Sequence, residues 1–262
     1  MPSDPARRPP VNGRLGLPMR RLRSARLLQG VVVLLVVVGA ASPIDETMHD
    51  LVFRYLVSHE VRLLANGFTL LGTTEAGVGI LGGLALVAYR TADPTLWPAS
   101  LGGLAGLALG GVTAQVVKHL ACRARPRLVD GWGVGETAPP ALPARRGFFH
   151  GPCFGRWSYH SFPSGHANTA FTVAAALSAA MPTRRRAWLT VAAGVAASRV
   201  LLNAHFVSDV LAGGLIGWWA GEVGLALARR RGPTLPRRPV APATAARAGA
   251  RDEGDRPSAG TR

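Results

Sequence analysis

The stretch SRVLLNAHFVSD, Ser198 to Asp209, puts an arginine, a histidine and an aspartate between two apolar segments. Arg199 precedes His205 by six residues and Asp209 follows it by four. On a helix beginning at His205, positions four apart share a face one turn apart. A carboxylate so placed can hold one imidazole nitrogen as N–H and leave the other free as a base or nucleophile. A polar cluster at a helix end near a membrane surface would look the same, so this stretch alone leaves both readings open.

Two further stretches carry matching chemistry. Lys118, Arg125 and Pro126 form K-x6-R-P. Helical positions seven apart lie nearly on one face, so both cations can point into one pocket before the proline stops the helix. A point charge plus a planar fork suits a tetrahedral oxyanion such as phosphate, although a lone pair of cations could equally snorkel to lipid headgroups. Pro163, Ser164, Gly165 and His166 stand where a helix starts. Ser164 can donate a hydrogen bond, the Gly165 N–H can approach an anion closely, and the helix end adds partial positive charge. His166 can act as a general acid; alternatively, Ser164 is a plain N-cap and the histidine is incidental. Lys118, Arg125, Ser164, Gly165 and Arg199 around an anion, with His166, His205 and Asp209 beside it, make a phosphoryl-transfer set without metal ligands. No acidic cluster stands ready to hold Mg²⁺, so neither a metal nor a cofactor is expected.

The elements that must position these residues are membrane helices. Charged residues make up 17% of the chain and hydrophobic ones 48%, and apolar runs recur from Leu27 to Ala228. Several are long enough to cross a bilayer, which needs roughly 20 apolar residues per helix. The net charge of +16 comes mainly from arginines at the two ends and in short connections. They are not interleaved with aromatics along a face, so a nucleic-acid partner is excluded in favour of cytoplasmic flanks of membrane spans. Cys122 and Cys153 show no metal-type spacing, and a disulfide between them is open if both face an oxidising compartment.

The expected architecture is all-α and polytopic, with six transmembrane helices in one bundle. Residues 1–26 read as a disordered basic cytoplasmic tail, 27–228 as the membrane domain and 229–262 as a second disordered cytoplasmic tail. The apolar block Leu27 to Ser42 reads as a retained first span, with a cleaved signal peptide as the alternative. Pro43 to Arg62 reads as an interfacial amphipathic helix, with His49 and His59 as surface residues. The second span is expected near Thr69 to Tyr89, with Glu75 satisfied by Thr73 and Thr74. Later spans are expected over 99–121, from the PSGH stretch to about Ala180, over 187–202 and over 206–228. The connection from Arg127 to Phe162 is long enough to cover a site. With the N-terminus inside, six crossings return the C-terminus inside, with the basic turn Arg184 to Arg186. All three polar stretches then fall on the extracytoplasmic face of the cell membrane.

K-x6-R-P, P-S-G-H and S-R-x5-H-x3-D, in that order, resemble the three signature motifs of the type 2 phosphatidate phosphatase superfamily. That superfamily includes bacterial lipid phosphate phosphatases, glucose-6-phosphatase and vanadium haloperoxidases. The resemblance implies a membrane phosphatase in which His205 attacks phosphorus, Asp209 orients and charges its imidazole, and His166 protonates the leaving alcohol. It implies that Lys118, Arg125, Ser164, Gly165 and Arg199 bind the phosphoryl oxygens. The partners expected are a lipid phosphate or diphosphate substrate (phosphatidate, phosphatidylglycerol phosphate or polyprenyl diphosphate) and membrane lipids. A protein that only binds or transports lipid phosphates is the alternative, and it would need neither the His205–Asp209 couple nor His166.

Overall fold

The computed structural model describes residues 30, 32–129, 147–148 and 153–230, and among them there are helices and one isolated β-bridge but no strand. The expected tails lie outside the described residues, apart from Arg229 and Arg230, as does most of the connection from 127 to 162. Seven long helices organise the described chain: α1 Val32–Leu51, α2 His59–Leu71, α3 Thr74–Thr91, α4 Leu96–Ala121, α5 Gly165–Ala180, α6 Arg185–Leu201 and α7 Val207–Arg230.

Local chemistry sets the boundaries. Ser58, Thr73 and Ser164 each stand at the N-cap of α2, α3 and α5, with the hydroxyl accepting from the backbone N–H three residues on. The Asp93 carboxylate accepts from Thr95 N–H at 2.7 Å and Leu96 N–H at 3.0 Å, opening α4. Ala92 and Cys122 close α3 and α4 in the left-handed conformation.

The centre of the bundle is α4, α5 and α7, and glycine is what brings them together. A Cβ on Gly217 would lie 2.1 Å from the Asn168 carbonyl oxygen, and one on Gly213 would lie 2.3 Å from that of Ser164. A Cβ on Gly224 would meet the Gly102 oxygen at 2.1 Å, with Gly106 beside it. Small residues at helical spacing let backbones touch where a larger residue would hold them apart. Thr172 reinforces the contact by donating from its hydroxyl to the Gly217 carbonyl at 2.9 Å. Around this core, Leu81 of α3 packs with Leu107, Val173 and Leu177. Ala170 and Ala174 of α5 pack on Ala192 and Val195 of α6.

Three helices, α1, α4 and α7, are long and apolar enough to cross a membrane; the pair α2–α3, bent by 53°, counts as a fourth if it is one broken span. Helix α5 has 16 residues and α6 has 17, so among the described residues length and composition alone mark three to four of the six crossings expected. One reason is visible: α5 starts in the wall of the polar cleft described below, and the chain leaves α6 towards the same cleft. The helix expected over 43–62 is divided: α1 continues through a 3₁₀ turn at Ser42–Ile44 to Leu51, a π-helical turn covers Val52–Leu56, and α2 begins at His59. The segment is drawn inward because Asp45 is buried against Arg123. His49 is not a surface residue either, since its Nε2 meets Asn203 Oδ1 at 2.9 Å, whereas His59 is exposed. The helix expected near Thr69 to Tyr89 is α3, Thr74–Thr91, and the chain turns just before it at Gly72, where a Cβ would strike Val195 at 2.5 Å.

Gly217→Ala is expected to destabilise the protein by about 1–3 kcal/mol through overpacking. Gly82→Ala, with open space at its Cβ, should leave stability level or slightly raised. Thermal denaturation in detergent measures both, and equal midpoints would contradict the backbone contact.

Candidate active site

A cleft of about 340 Å³ opens where α4 ends and α5 begins, and Lys118, Arg125, Gly165, His166 and His205 all line it. The residues of the α2–α3 turn, Gly72 to Glu75, form the facing wall, and Leu107, Gly111 and Ala114 continue it along α4. The three polar stretches, whose lining residues lie up to 87 positions apart from Lys118 to His205, therefore meet the α2–α3 turn around one cavity.

The cations are held by backbone carbonyls. Lys118 Nζ donates to His160 O at 3.0 Å and to Pro163 O at 2.6 Å. Arg125 is aligned by its own N–H on Ser158 O at 2.8 Å and by Nε on Trp157 O at 3.2 Å. A short paired segment makes this possible. Arg123 bridges to His160, Ser161 N–H donates to Arg123 O at 3.0 Å, and the Cys122–Cys153 disulfide closes the segment's end. The disulfide left open by the sequence is thus formed.

Ser164 is fully buried as the N-cap of α5, and its Oγ accepts from Ala167 N–H at 3.4 Å. Gly165 and His166, the first residues of the helix, line the cleft where the helix end carries partial positive charge. Arg199 is not among the residues that line the cleft; one of its terminal nitrogens donates to Thr69 Oγ1 at 3.0 Å and its buried Nε has no partner. Glu75 also lines the cleft, rather than being confined to its threonine neighbours.

His205 is 2% exposed. Its Nδ1 lies 2.7 Å from the Ser161 carbonyl oxygen, whereas the nearest Asp209 oxygen is 3.7 Å away. A carbonyl only accepts, so Nδ1 carries the proton and Nε2 keeps its lone pair. The hydrogen bond expected between His205 and Asp209 thus goes to a backbone oxygen. The reason is that the Asp209 carboxylate is already engaged. Its Oδ2 accepts from Phe206 N–H at 2.9 Å and from Ser161 Oγ, and its Oδ1 accepts from Arg123 at 2.7 Å. Asp209 acts on the ring as a nearby charge.

Four contributors escaped the sequence reading. Arg123 lies inside the K-x6-R-P spacing but is not one of its named positions, and Asp45 lies in the segment expected to be interfacial. Ser161 acts partly through its backbone, which no side-chain pattern signals. His160 lines the cleft with Nε2 on Cys153 O at 3.1 Å and a buried, unpartnered Nδ1. Its place next to SFPSGH was the available signal. Among the described residues, no three His, Cys, Asp or Glu side chains converge as a metal-ligand set.

Burial pushes the His205 imidazole well below its ordinary range, to about 3, against the opposing pull of Asp209. Burial lowers His160 too. Nε2 of His205 is therefore unprotonated at neutral pH. An imidazole lowered on folding contributes stability that is fully present above its unfolded pKa of about 6.5 and is lost as pH falls towards the folded value. His205→Asn keeps a donor for the Ser161 carbonyl but does not titrate. Its melting temperature is expected to fall less than wild type between pH 7.5 and pH 4.5, and parallel curves would contradict the buried neutral ring.

The PAP2 superfamily model matches residues 100–232. Two lipid A 1-phosphatases, from Rhizobium johnstonii and Rhizobium etli, are each 32% identical over 109 residues, 42% of this chain. The matches span 39% and 41% of those relatives' own lengths. A crystal structure of a transmembrane PAP2-type phosphatidylglycerolphosphate phosphatase from Bacillus subtilis superposes with a TM-score of 0.53 at 20% identity, covering 78% of this chain and 96% of that one. Aquifex aeolicus LpxE superposes with a TM-score of 0.51 at 19% identity, covering 70% of this chain and 95% of that one. At these identities the two structures speak for the fold. The family match covers just over half of the chain and includes all three polar stretches, so the chain belongs to the PAP2 superfamily.

Proposed function

We propose that the chain is a membrane phosphatase that hydrolyses a lipid phosphate monoester or diphosphate through a phosphohistidine. The observation that carries this reading is the convergence of His166 and His205 with Lys118 and Arg125 on one cleft. The His205 Nε2 lone pair forms a bond to phosphorus while the bond from phosphorus to the leaving oxygen breaks. That oxygen takes its proton from His166. Water then attacks the phosphohistidine with His166 as base, releasing phosphate and the free imidazole. Lys118, Arg125 and the Gly165 N–H bind the phosphoryl oxygens, with Ser164 and Arg199 supporting that wall. Leu107, Gly111 and Ala114 extend the cleft along α4, giving an apolar surface for the lipid chain.

The substrate panel is phosphatidate, phosphatidylglycerol phosphate and polyprenyl diphosphate, to which the relatives' names add lipid A 1-phosphate. We place the cleft on the extracytoplasmic side, with both termini and the turn Arg184 to Arg186 in the cytoplasm. Two features support that orientation: the positive flanks favour the inside, and the disulfide beside the cleft favours an oxidising compartment. A six-span count remains our reading of α1, α2–α3, α4, α5, α6 and α7 together.

Purified protein in detergent should release inorganic phosphate from at least one panel lipid in the presence of EDTA. His205→Ala should lower kcat by about 1,000-fold or more. Binding of the lipids with no phosphate release from any of them would favour a non-catalytic lipid-phosphate binder. Strict dependence on Mg²⁺ would count against the proposed residue roles.

A further inference from the structure

Behind His205 lies a buried cluster that joins the motif residue Asp209 to Arg123 and Asp45, neither of which is a named position of the three motifs. Arg123, Asp45 and Asp209 have side chains 3%, 1% and 0% exposed. One terminal nitrogen of Arg123 donates to Asp209 Oδ1 at 2.7 Å and to Ser208 Oγ at 2.6 Å. The other donates to Asp45 Oδ2 at 2.8 Å. Phe148 and Phe206 pack on the guanidinium, with ring centroids 4.5 and 4.2 Å from its carbon. Asp45 also accepts from Ser208 N–H at 2.9 Å and from the Ser208 hydroxyl, which fastens α1 to the first turn of α7.

Among the described residues, one guanidinium between two carboxylates leaves one negative charge in excess, shut away from water. The neighbouring group that gains a positive charge during the proposed reaction is His205, with Nδ1 3.7 Å from Asp209. In the resting state that ring is neutral. Once Nε2 is bonded to phosphorus, with Nδ1 still protonated, the ring is positive. The cluster is therefore balanced in the phosphoenzyme and unbalanced before it, which is stabilisation specific to the reacting state. If Arg123 paired with Asp209 alone, its charge would cancel the carboxylate that faces the imidazole.

We propose that Asp45 and Arg123 are positioning residues for His205 and Asp209, in which Asp45 takes up half of the Arg123 fork so that Asp209 keeps its negative charge for the phosphorylated imidazole. This rests on the phosphohistidine reading above.

The test compares Asp45→Asn with the double variant Asp45→Asn/Arg123→Met, in the full chain in detergent, on dioctanoyl phosphatidate. Asp45→Asn keeps shape and removes the excess charge. It should lower kcat by about 10–100-fold, leave KM within about threefold, and reduce the phosphoenzyme trapped by acid quench. The double variant removes a cation and an anion together, so the charge facing His205 returns to one negative. Its kcat should exceed that of Asp45→Asn by at least about fivefold, a rescue that a merely structural role would not give. An Asp45→Asn kcat within twofold of wild type overturns the proposal, and so does a double variant no faster than the single. Where Asp45→Asn does not fold, the double variant alone decides: turnover within about thirtyfold of wild type supports the proposal, and a larger loss overturns it. A wild-type chain that neither turns over any panel lipid nor forms a phosphoenzyme overturns the phosphatase reading itself, and this inference with it.

Discussion

The structure depends on backbone touching backbone along α7. Gly213 lies on the Ser164 carbonyl, Gly217 on that of Asn168 and Gly224 on that of Gly102, so α7 meets both α5 and α4 without side chains between. The contact at Gly213 continues as a hydrogen bond from Ser164 N–H to the Asp209 carbonyl oxygen at 2.9 Å. That bond joins the start of α5, which presents Gly165 and His166, to the start of α7, which presents Asp209 behind His205. The two histidines are held relative to one another by main chain rather than by flexible side chains.

The cleft is organised before any ligand arrives. Two of the three Lys118 donors are committed to the His160 and Pro163 carbonyls, so the ammonium is held in place with one donor left. Arg125 is aligned by Ser158 and Trp157, and the His205 tautomer is fixed by Ser161. Each of these partners is a carbonyl in the segment 157–163. This one stretch thus sets the two cations and the His205 imidazole together, and groups fixed in advance need no reorganisation when a ligand arrives.

The cleft residues at Lys118, Arg125, Gly165, His166 and His205 were legible because their types and spacings recur within helices and helix ends, where sequence distance translates into direction. The helices α3 to α7 were legible for the same reason. What stayed hidden depended on contacts across the fold. Asp45 and Arg123 are 78 positions apart and His49 and Asn203 are 154 apart, and neither pair belongs to one periodic element. Asp45 sits among polar neighbours that, by composition, read as a water-facing helix. The partner of His205 was misread because a carbonyl oxygen leaves no mark on the sequence, while the aspartate four positions on offers an obvious but already occupied acceptor.

The Cys122–Cys153 bond ties the end of α4 to the stretch that leads into the segment 157–163, across 31 positions of chain. The carbonyls of that segment hold Lys118, Arg125 and His205. The glycine contacts among α4, α5 and α7 involve neither cysteine. A crosslink at this place therefore restrains the carbonyls around the cleft, while the packing of the bundle rests on other contacts.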